Sequence, residues 1–546
     1  MASKSKFTRE QISASNPMFS RLRTIVETSF YGSNVVKVES LAEAYELAKN
    51  SPGTLVTDMP IEQPESIGLP SDAKVLLFND GAVTGRAAAA RRILGNEGVD
   101  PDKLDKKVMD AVYDLRWSKL YHAEAIVGLD EGFMVKAHLL IPEGEENILY
   151  NWMLNFQPLT DEYKERYDNS KEYDEGDIFV ISDPQWSDED HPLGLTYFDP
   201  DHSCAAFLGM RYFGEHKKGT LTLAWSIANR NGFASCHGGL KEFSKEGMDP
   251  YTLAVFGLSG SGKSTITHAT HDDKYDIKIL HDDAFIIHTG ERYSIALEPT
   301  YFDKTQDYPA VSPDNKYLLT VQNCGATRDE DGKLIIVSED IRNGNGRAIK
   351  SKLWSPNRVD RVDSQVNAIC WIMKDPVLPP LTRIKNPTLA SLMGATLSTK
   401  RTTAERLADG IDPNALVIEP YANPFRTWSL AEDFEKFRAL FKDGVECYIL
   451  NTGHFLDKKV DKETTLTAVE NVAEGKGTWK EFPGVPGLEY MAFEGFELPE
   501  DERYLEAFMG SMKRRQGFLE ELSDVNRLPE EAYASLDEWI GQIDKK

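Results

Sequence analysis

Short apolar runs bounded by polar and turn-forming residues recur along this chain, and they predict buried β-strands. In the first half the clearest runs cover residues 75–78 and 178–181. The Ala-rich stretch 86–94 favours a helix, and the acidic segment from Leu498 onward is typical of amphipathic surface helices. The mixture of helix and strand signals predicts an α/β fold. The second half contains further strand-like runs, at residues 252–256, 277–280, 333–337, 368–373 and 447–450.

The length of the chain indicates more than one domain. With 546 residues, 41% of them apolar, it exceeds what one hydrophobic core usually organises, so we expect two lobes. The polar segment 241–250 predicts a crossover, which divides the chain into an N-terminal lobe, 1–245, and a C-terminal lobe, 246–546. Residues 391–412 are rich in small and polar side chains, and a loop of that length is typical of a mobile lid.

The composition argues against several classes of protein. Lys and Arg number 62 against 88 Asp and Glu, which gives a net charge of −26 and argues against binding to nucleic acid or an anionic membrane. A local basic cleft can still bind a small anion. No apolar run reaches the roughly 18 residues of a membrane span, and the first residues lack the apolar core of a signal peptide. The five cysteines are scattered without a C-x-x-C pair, so we expect reduced thiols in a cytoplasmic protein.

Residues 257–265 match the phosphate-binding loop pattern G-x-x-x-x-G-K-[ST], the P-loop. In such a loop the backbone N–H groups turn towards phosphate oxygens, and the Lys263 ammonium reaches the β- and γ-phosphates. The Ser264 hydroxyl can bind the metal ion of the nucleotide. Residues 252–256 predict a buried strand before the loop, and a helix can start at Ile266 after it. The alternative is a merely Gly-rich surface turn.

An acidic pair follows the predicted strand 277–280, in the sequence His281-Asp282-Asp283. In a P-loop protein an acidic residue at the end of a neighbouring strand holds the metal ion on the nucleotide. Adjacent side chains point in different directions, so one carboxylate can bind the metal directly while the other acts through water. A polar turn at the end of a strand is the alternative.

Two more segments carry basic or imidazole side chains close to glycine. Residues 212–219 include the pair Lys217 and Lys218, and residues 234–239 include His237. Considered alone, paired lysines are usually a solvated face, and an isolated histidine is more often structural than a ligand. The order of all the motifs changes that interpretation.

In that order the motifs resemble those of the ATP-dependent phosphoenolpyruvate carboxykinases. The family's G-L-S-G-T-G-K-T-T matches residues 257–265 with Ser for Thr at two positions, and its G-D-D motif corresponds to residues 281–283. Its Y-x-G-E-M-K-K-G matches residues 212–219 with His216 in place of Met, and its A-S-M-H-C-S matches residues 234–239. The phosphate loop lacks the Cys of the GTP-using branch, which favours ATP. Shorter matches are T-G-R at 84–86, N-P-Q-W at 183–186, N-T-R at 345–347, V-L-P-P at 377–380 and N-T-G at 451–453.

The resemblance, which runs from about residue 80 to about residue 470, implies a two-lobed carboxykinase fold with a P-loop nucleotide-binding C-terminal domain and the active site in the cleft between the lobes. It also implies two metal ions. Mn²⁺ would be bound by Lys218, His237 and Asp283. Mg²⁺ on the β- and γ-phosphates of ATP would be bound by Ser264, with Asp282 assisting. A lysine binds metal only as the neutral amine, which the dication, the neighbouring ammonium and partial burial would favour.

The same resemblance implies roles for further side chains. Arg86 would hold a substrate carboxylate, and Tyr212 would orient that carboxylate or the departing CO₂. Arg347 would span the γ-phosphate and the enolate oxygen, and Lys263 would offset charge on the transferring phosphoryl group. The lysines Lys217 and Lys218 complete the catalytic set. The implied nucleotide contacts are Gly257, Leu258, Ser259, Gly260, Ser261, Gly262, Lys263, Ser264 and Thr265, with Lys459, Val460 and Thr465 near the adenine.

The implied reaction has two stages and small-molecule partners only. Oxaloacetate loses CO₂, and the enolate that remains attacks the γ-phosphate of ATP, which gives phosphoenolpyruvate and ADP. Water must be excluded, because otherwise the enolate would be protonated to pyruvate. By position, residues 391–412 match the family's mobile lid.

The chain departs from the family pattern where substrate and purine are expected to bind. After T-G-R, the family's S-P-K-D is replaced by four alanines, residues 87–90. Near the adenine, the two arginines of K-R-I-S-I-K-D-T-R are replaced by Lys459 and Leu466. Two alternatives stay open: a kinase of the same fold that phosphorylates another small acid without decarboxylation, and a non-catalytic ATP-binding protein.

Overall fold

The computed structural model describes residues 3–79, 87–258, 260–305, 308–339, 345–400, 416–499 and 501–543. These residues form two compact units. The first unit contains the described residues up to Ile227 together with Leu297–Pro356. The second contains Ala228–Ala296 and the described residues from Asn357 onward. The units are therefore interleaved along the chain, whereas the sequence predicted a single boundary after residue 245.

Helices and strands alternate through both units. The described helices are α1 Arg21–Thr28, α2 Leu41–Lys49, α3 Ala87–Ala90, α4 Pro101–Leu115, α5 Glu146–Asn155, α6 Asp161–Asn169, α7 Phe213–Arg230, α8 Lys263–Thr267, α9 Pro387–Ala395, α10 Leu430–Lys442, α11 Lys462–Ala473, α12 Glu502–Glu520 and α13 Glu530–Ile543. The first strands are β1 Val35–Val38, β2 Leu55–Pro60, β3 Lys74–Phe78, β4 Arg91–Ile93, β5 Leu120–Asp130, β6 Phe133–Pro142, β7 Ile178–Asp183, β8 Leu195–Asp199, β9 Cys204–Leu208, β10 Phe233–Lys245, β11 Met248–Phe256, β12 Asp276–His281, β13 Ala284–His288 and β14 Ser294–Ala296. The later strands are β15 Tyr301–Lys304, β16 Leu318–Gln322, β17 Gly325–Arg328, β18 Leu334–Val337, β19 Arg347–Lys350, β20 Arg361–Val362, β21 Val366–Met373, β22 Leu381–Ile384, β23 Ser398–Lys400, β24 Leu416–Ile418, β25 Glu446–Asn451, β26 His454–Phe455, β27 Lys458–Lys459, β28 Trp479–Glu481 and β29 Leu488–Met491.

The first unit is built on two larger sheets. One has the strand order β1-β5-β6-β7-β9-β8-β4, and the other has the order β15-β19-β16-β3-β2. The pair β17-β18 forms a separate ribbon. Helices α1 and α4 bury apolar side chains against the first of these sheets, which gives the unit a core that includes Val26, Val108, Ile181 and Ala206.

The second unit has one large sheet, in the order β20-β14-β13-β10-β11-β21-β25-β22-β29-β28, with β12 also paired to β10. Strands β11, β21 and β25 run parallel to one another. Their carboxyl ends therefore lie at one edge of the sheet, where ligands bind in open α/β sheets. Helix α11 packs against this region, and the shared core includes Val255, Ile372, Leu450 and Val469.

Side-chain caps fix where several helices begin. The carboxylate of Asp100 and the amide of Asn386 each accept two backbone N–H groups of the following first turn. The Ser429 hydroxyl and the Asp501 carboxylate each accept one such N–H group. These caps satisfy donors that have no partner within the helix, so polar residues decide the boundaries while apolar residues decide the buried faces.

Most of the strands predicted from apolar runs are confirmed. The runs 75–78, 178–181, 277–280, 368–373 and 447–450 lie within β3, β7, β12, β21 and β25, and the C-terminal helices are α12 and α13. The run 333–337 overlaps β18, and the run 252–256 lies within β11.

Two predictions about local structure are wrong. Within the described part of the predicted helix 86–94, residues 87–94, only Ala87–Ala90 is helical, because residues 91–93 form β4 and pair in parallel with β8. The predicted crossover 241–250 is instead part of the β10–β11 hairpin, in which Lys241 lies opposite Leu253. In both places long-range strand pairing overrides the local signal.

The first part of the predicted lid, 391–412, is also ordered structure. Residues up to Ala395 belong to α9, and Ser398–Lys400 pairs with β24. The small residues there serve packing: a Cβ atom on Gly394 would lie 2.6 Å from the Trp371 ring and 2.7 Å from the Tyr421 ring. The remainder of the predicted lid, 401–412, lies outside the described residues.

Candidate functional site

The segment that matches the P-loop pattern, 257–265, connects β11 to α8 in the second unit. The helix begins at Lys263, three residues earlier than predicted from the sequence. Gly260 and Gly262 have φ values of 75° and 100°, in the left-handed region that favours glycine. A Cβ atom on Gly257 would lie 2.4 Å from the Ser261 hydroxyl oxygen. The backbone conformation therefore favours glycine at positions 260 and 262, and the lack of space for a side chain favours it at position 257. Ser259 lies outside the described residues.

Two side chains from neighbouring parallel strands hold the carbonyls of this loop. The Lys374 ammonium, just after β21, donates to the carbonyl oxygen of Gly260 at 3.0 Å. The Thr452 hydroxyl, just after β25, donates to the carbonyl oxygen of Ser261 at 2.7 Å. Burial and the charge of Lys400 lower the pKa of Lys374. Thr452 belongs to the N-T-G motif. Lys374 was not predicted from the sequence, although its position directly after the apolar run 368–373 could have indicated that it lies at the end of a strand.

Lys263 of this segment lies close to two other side chains of the second unit, those of His237 and Asp283. The His237 Nε2 atom lies 3.0 Å from the Asp283 Oδ1 atom and 3.4 Å from the Lys263 ammonium nitrogen. The Lys263 nitrogen lies 3.9 Å from the same Asp283 oxygen. His237 and Lys263 are buried. The structure thus brings together three residues that the sequence analysis assigned to the metal and phosphate sites.

A hydrogen bond to a backbone carbonyl fixes the orientation of the His237 ring. Its Nδ1 atom lies 2.5 Å from the carbonyl oxygen of Ala422, and because a carbonyl only accepts, Nδ1 carries the proton. Tyr421 and Ala422 both have φ near 53°, a left-handed backbone conformation that is uncommon without glycine. The Nε2 atom is therefore the one presented to Asp283 and to the Lys263 ammonium.

Asp282 faces away from that cluster. One of its oxygens lies 3.4 Å from His268 Nε2, and the side chain is buried. Burial alone would raise the pKa of Asp282, but the hydrogen bond and charge of His268, with the charge of His281, hold it below its ordinary value. The two adjacent carboxylates thus have different partners, as the sequence analysis expected. His268, five residues after Lys263, is a partner that it missed.

Lys241 supports the short helix α8 from the buried side. Its ammonium donates to the carbonyl oxygens of Ile266 and Ala269 at 2.6 and 3.2 Å, and it lies 2.8 Å from His271 Nε2. Burial lowers the pKa of Lys241 to about 7. A lysine of the predicted crossover 241–250 is therefore an internal support of helix α8.

The residues expected near the adenine also lie in the second unit. Lys459 is exposed on β27. Val460 is buried and its backbone N–H donates to the Gly453 carbonyl oxygen at 2.9 Å. The Thr465 hydroxyl donates to the carbonyl oxygen of Asp461 at 3.0 Å within α11. The Val460 bond ties this segment to the N-T-G motif beside the loop. Ser264 and Thr265 are exposed at the start of α8.

The remaining predicted residues lie in the first unit. Lys217 is buried on α7, and its ammonium lies 2.9 Å from a carboxylate oxygen of buried Glu298. Lys218 is half-buried, with its ammonium 5.6 Å from the centre of the Trp225 ring. Tyr212 is half-buried, and its ring centre lies 6.5 Å from that of Phe302.

Two arginines were expected to contact substrate. Arg347 is buried on β19, and its guanidinium donates to the Gly346 carbonyl oxygen at 2.8 Å. Arg86 lies outside the described residues.

No described helix combines the length and the apolar character that crossing a membrane requires.

Comparison with known proteins agrees with the motif pattern. A family model described as phosphoenolpyruvate carboxykinase matches residues 49–486. Over 427 residues the chain is 25% identical to a protein named phosphoenolpyruvate carboxykinase (ATP) from Aeropyrum pernix, covering 73% of this chain and 79% of that protein. Over 463 residues it is 21% identical to a protein of the same name from Dictyostelium discoideum, covering 78% and 76%. The mixed α/β architecture is consistent with that family, and the chain belongs to the phosphoenolpyruvate carboxykinase family.

Proposed function

We propose that this protein is an ATP-dependent carboxy-lyase that converts oxaloacetate and ATP into phosphoenolpyruvate, CO₂ and ADP. The observation that carries the proposal is the convergence of His237, Lys263 and Asp283 directly behind the P-loop. The names of the two relatives, both phosphoenolpyruvate carboxykinase (ATP), support the choice of reaction and of nucleotide. The absence of disulfides among the five cysteines, all described and buried, supports the expected cytoplasmic location.

The nucleotide would bind at the carboxyl ends of β11, β21 and β25. Backbone N–H groups of the loop would face the phosphates, and Lys374 and Thr452 stabilise the loop by holding its carbonyls turned away. The Lys263 ammonium would offset negative charge on the γ-phosphoryl group as it transfers. Exposed Ser264 and Thr265 at the start of α8 remain accessible to the nucleotide.

The donor set behind the loop fits a divalent metal ion. His237 Nε2 and Asp283 Oδ1 lie 3.0 Å apart, and an imidazole nitrogen beside a carboxylate oxygen is a ligand pair that divalent transition metals bind. The Ala422 carbonyl accepts from Nδ1 and so directs Nε2 towards Asp283, which is the usual support of a metal-binding histidine. A bound divalent ion would supply Lewis acidity towards a carbonyl or enolate oxygen. We assign His237, Asp283 and Lys218 to Mn²⁺, and Ser264 with Asp282 to the Mg²⁺ of ATP.

The first unit would supply groups for the acid substrate. Arg347 and Arg86 would pair with its carboxylate and phosphoryl oxygens, since a guanidinium fork matches two oxygens. Tyr212 would orient the carboxylate that leaves. The Lys217 charge is neutralised by Glu298, so this lysine would act mainly by holding the start of α7 in place, beside Lys218.

One observation favours a second candidate, a kinase of the same fold that phosphorylates another acid without decarboxylating it. The segment after Arg86 is the apolar helix α3, Ala87–Ala90, where the resemblance leads us to expect polar substrate contacts. The two candidates differ in acceptor and not in phosphate chemistry, so the acceptor must be identified directly.

The test is to incubate purified protein with oxaloacetate, ATP, Mg²⁺ and Mn²⁺ and to follow phosphoenolpyruvate and ADP separately. We expect both products, in equal amounts. Lys263→Ala and Lys218→Ala should each reduce phosphoenolpyruvate formation at least about 100-fold, the size of effect that removing a charge-stabilising group produces. Lys385→Ala is the matched control, because this lysine is exposed and pairs only with Glu489 among the described residues.

The alternatives give different results. ADP without phosphoenolpyruvate would overturn the carboxykinase assignment and support the second candidate, which a screen of small acids as phosphate acceptors would then identify. ATP binding without any ADP formation would indicate a non-catalytic protein. Equal losses in Lys263→Ala and Lys385→Ala would show that the loop lysine has no special role.

A further inference from the structure

Two histidines and a glutamate share one face of the seven-stranded sheet in the first unit. His122 and Glu124 are two residues apart on β5, so their side chains point to the same face. Glu124 lies directly opposite His138 on the antiparallel neighbour β6. Among the described residues, this is the cluster whose imidazole nitrogens and carboxylate oxygen lie within 4.8 Å of one another.

The three ligand atoms form a compact triangle. His122 Nε2 lies 3.0 Å from His138 Nδ1, and Glu124 Oε1 lies 3.6 Å from His138 Nδ1 and 3.9 Å from His122 Nε2. Ligands about 2.0–2.2 Å from a tetrahedral zinc ion are separated by roughly 3.3–3.6 Å. The side chains therefore need only small rotations to surround one ion.

A buried carboxylate fixes the orientation of one imidazole. Asp177, just before β7, is fully buried, and its Oδ2 atom lies 3.1 Å from His138 Nε2. Because a carboxylate accepts this proton, His138 presents the lone pair of Nδ1 to the other two ligands. The Ser3 hydroxyl donates to the second Asp177 oxygen at 2.5 Å. A carboxylate behind a metal-bound histidine is the usual support that orients the ring.

The rest of the surroundings position the group without blocking it. The Lys37 ammonium lies 3.2 Å from Glu124 Oε2, so it holds one carboxylate oxygen while Oε1 faces the imidazoles. The Phe179 ring is stacked on His138 with ring centres 4.4 Å apart, and the Phe30 ring meets His122 edge-on. The aromatic rings limit side-chain motion and exclude water from one side.

The carboxylate of the group also borders a cavity. Glu124 and Lys37 line a cavity of about 570 Å³ within the first unit, together with Gln157 and Lys164. The Glu124 side chain is 19% exposed and that of His122 is 13% exposed, so both remain accessible. A bound ion would keep a fourth position for water or for a small ligand from the cavity.

We propose that His122 Nε2, His138 Nδ1 and the Glu124 carboxylate bind a divalent transition-metal ion of the zinc class. Two imidazole nitrogens and one carboxylate favour such an ion over Mg²⁺, which prefers oxygen ligands. The site shares no residue with the Lys218, His237 and Asp283 set. It therefore stands independently of the proposed carboxykinase activity.

The test uses the full chain carrying His237→Gln, so that the other proposed transition-metal site contributes nothing. The protein is stripped with a chelator, loaded with Zn²⁺, desalted and analysed for metal content, and Co²⁺ is titrated while its visible absorption is recorded. We expect one equivalent of Zn²⁺ and a tetrahedral Co²⁺ spectrum. His122→Gln and Glu124→Gln, each in the same background, should weaken Co²⁺ binding at least about 100-fold.

Two controls keep the result interpretable. His202→Gln removes another histidine of the first unit that is paired with a carboxylate, Asp199, and it should leave metal content unchanged. Glu124→Gln is isosteric and partly exposed, so circular dichroism should show a folded protein. Absence of stoichiometric Zn²⁺ in the His237→Gln protein would overturn the proposal. Undiminished binding in both ligand variants, or an equal loss in His202→Gln, would overturn it as well.

Discussion

At the scale of single residues, the hydrogen-bond partner of each key histidine decides which ring nitrogen it presents. His237 offers Nε2 because the Ala422 carbonyl occupies Nδ1, and His138 offers Nδ1 because Asp177 occupies Nε2. In each pair the group behind the ring selects the tautomer. A sequence pattern can identify such a histidine, but the atom it presents depends on a partner that is distant in sequence.

Asp433 shows the cost of burying a carboxylate. It is 1% exposed on α10, and its Oδ1 atom accepts a hydrogen bond from Trp428 at 2.8 Å. Burial raises the pKa of Asp433 to about 6, above the unfolded value of 3.8. The folded state therefore favours the protonated acid, and stability from this group is lost as pH rises from about 4 through 6.

Asp433→Asn removes this titration. As the pH rises from 4 to 7, the native protein should lose up to about 3 kcal/mol of unfolding free energy that the variant keeps. Urea unfolding at several pH values, followed by tryptophan fluorescence, measures that difference. The control Asp363→Asn replaces an 83% exposed carboxylate and should show no such trend. A constant difference for Asp433→Asn would contradict the prediction.

At the scale of elements, helix α9 and strand β10 show why composition misleads. Ser391 and Gly394 suggested a loop, yet the Ser391 hydroxyl contacts Tyr421 and the Phe434 carbonyl inside the second unit. Lys241 belongs to the polar segment that suggested a crossover, yet its ammonium is buried beneath α8. Small and polar residues are used here for close packing and for internal hydrogen bonds.

Gly394→Ala should destabilise the protein although alanine favours helices. The new Cβ atom would meet the Trp371 and Tyr421 rings, and overpacking of this kind costs about 1–3 kcal/mol, more than the roughly 1 kcal/mol gained in helix propensity. Gly510→Ala on α12 is the matched control, because nothing lies within 4 Å of its added Cβ atom. It should stabilise the protein. Thermal unfolding of both variants tests this, and equal changes of the same sign would refute it.

The strands of the fold could be predicted where burial alone determines them, as in β11 and β25. Sequence order also identified His237, Lys263 and Asp283 before any contact was known. The strand nature of residues 91–93 could not be predicted, because it depends on pairing with β8, about a hundred residues away. The cluster of His122, Glu124 and His138 was missed because its members meet only through the β5–β6 register.

At the scale of the whole molecule, the main feature is that the two units are built from segments that alternate along the chain. The five-stranded sheet of the first unit places β16 beside β3, although the segment Ala228–Ala296 of the second unit separates the two strands in sequence. Strand β16 pairs in parallel with β3, so it supplies hydrogen bonds that the N-terminal part cannot make alone. The N-terminal lobe predicted from the sequence, 1–245, therefore lacks three of the five strands of this sheet.

The fragment 1–245 should fail to fold when produced by itself. An unpaired, apolar β3 edge favours aggregation, so we expect an insoluble fragment or one without cooperative unfolding. A chain that joins residues 1–227 to 297–356 through a flexible linker restores the sheet and is the control. Solubility and circular dichroism melting curves compare the two. A soluble, cooperatively melting 1–245 fragment would contradict this view of the first unit.

The same interleaving sets an order of events during synthesis. Strand β3 has no partner at this edge until β16 has left the ribosome, and 240 residues separate Phe78 at the end of β3 from Leu318 at the start of β16. At cellular elongation rates that delay lasts on the order of ten seconds, during which an apolar strand edge waits without its partner. We therefore expect the nascent chain to depend on a holding chaperone, and its yield to fall when translation is slowed between the two strands.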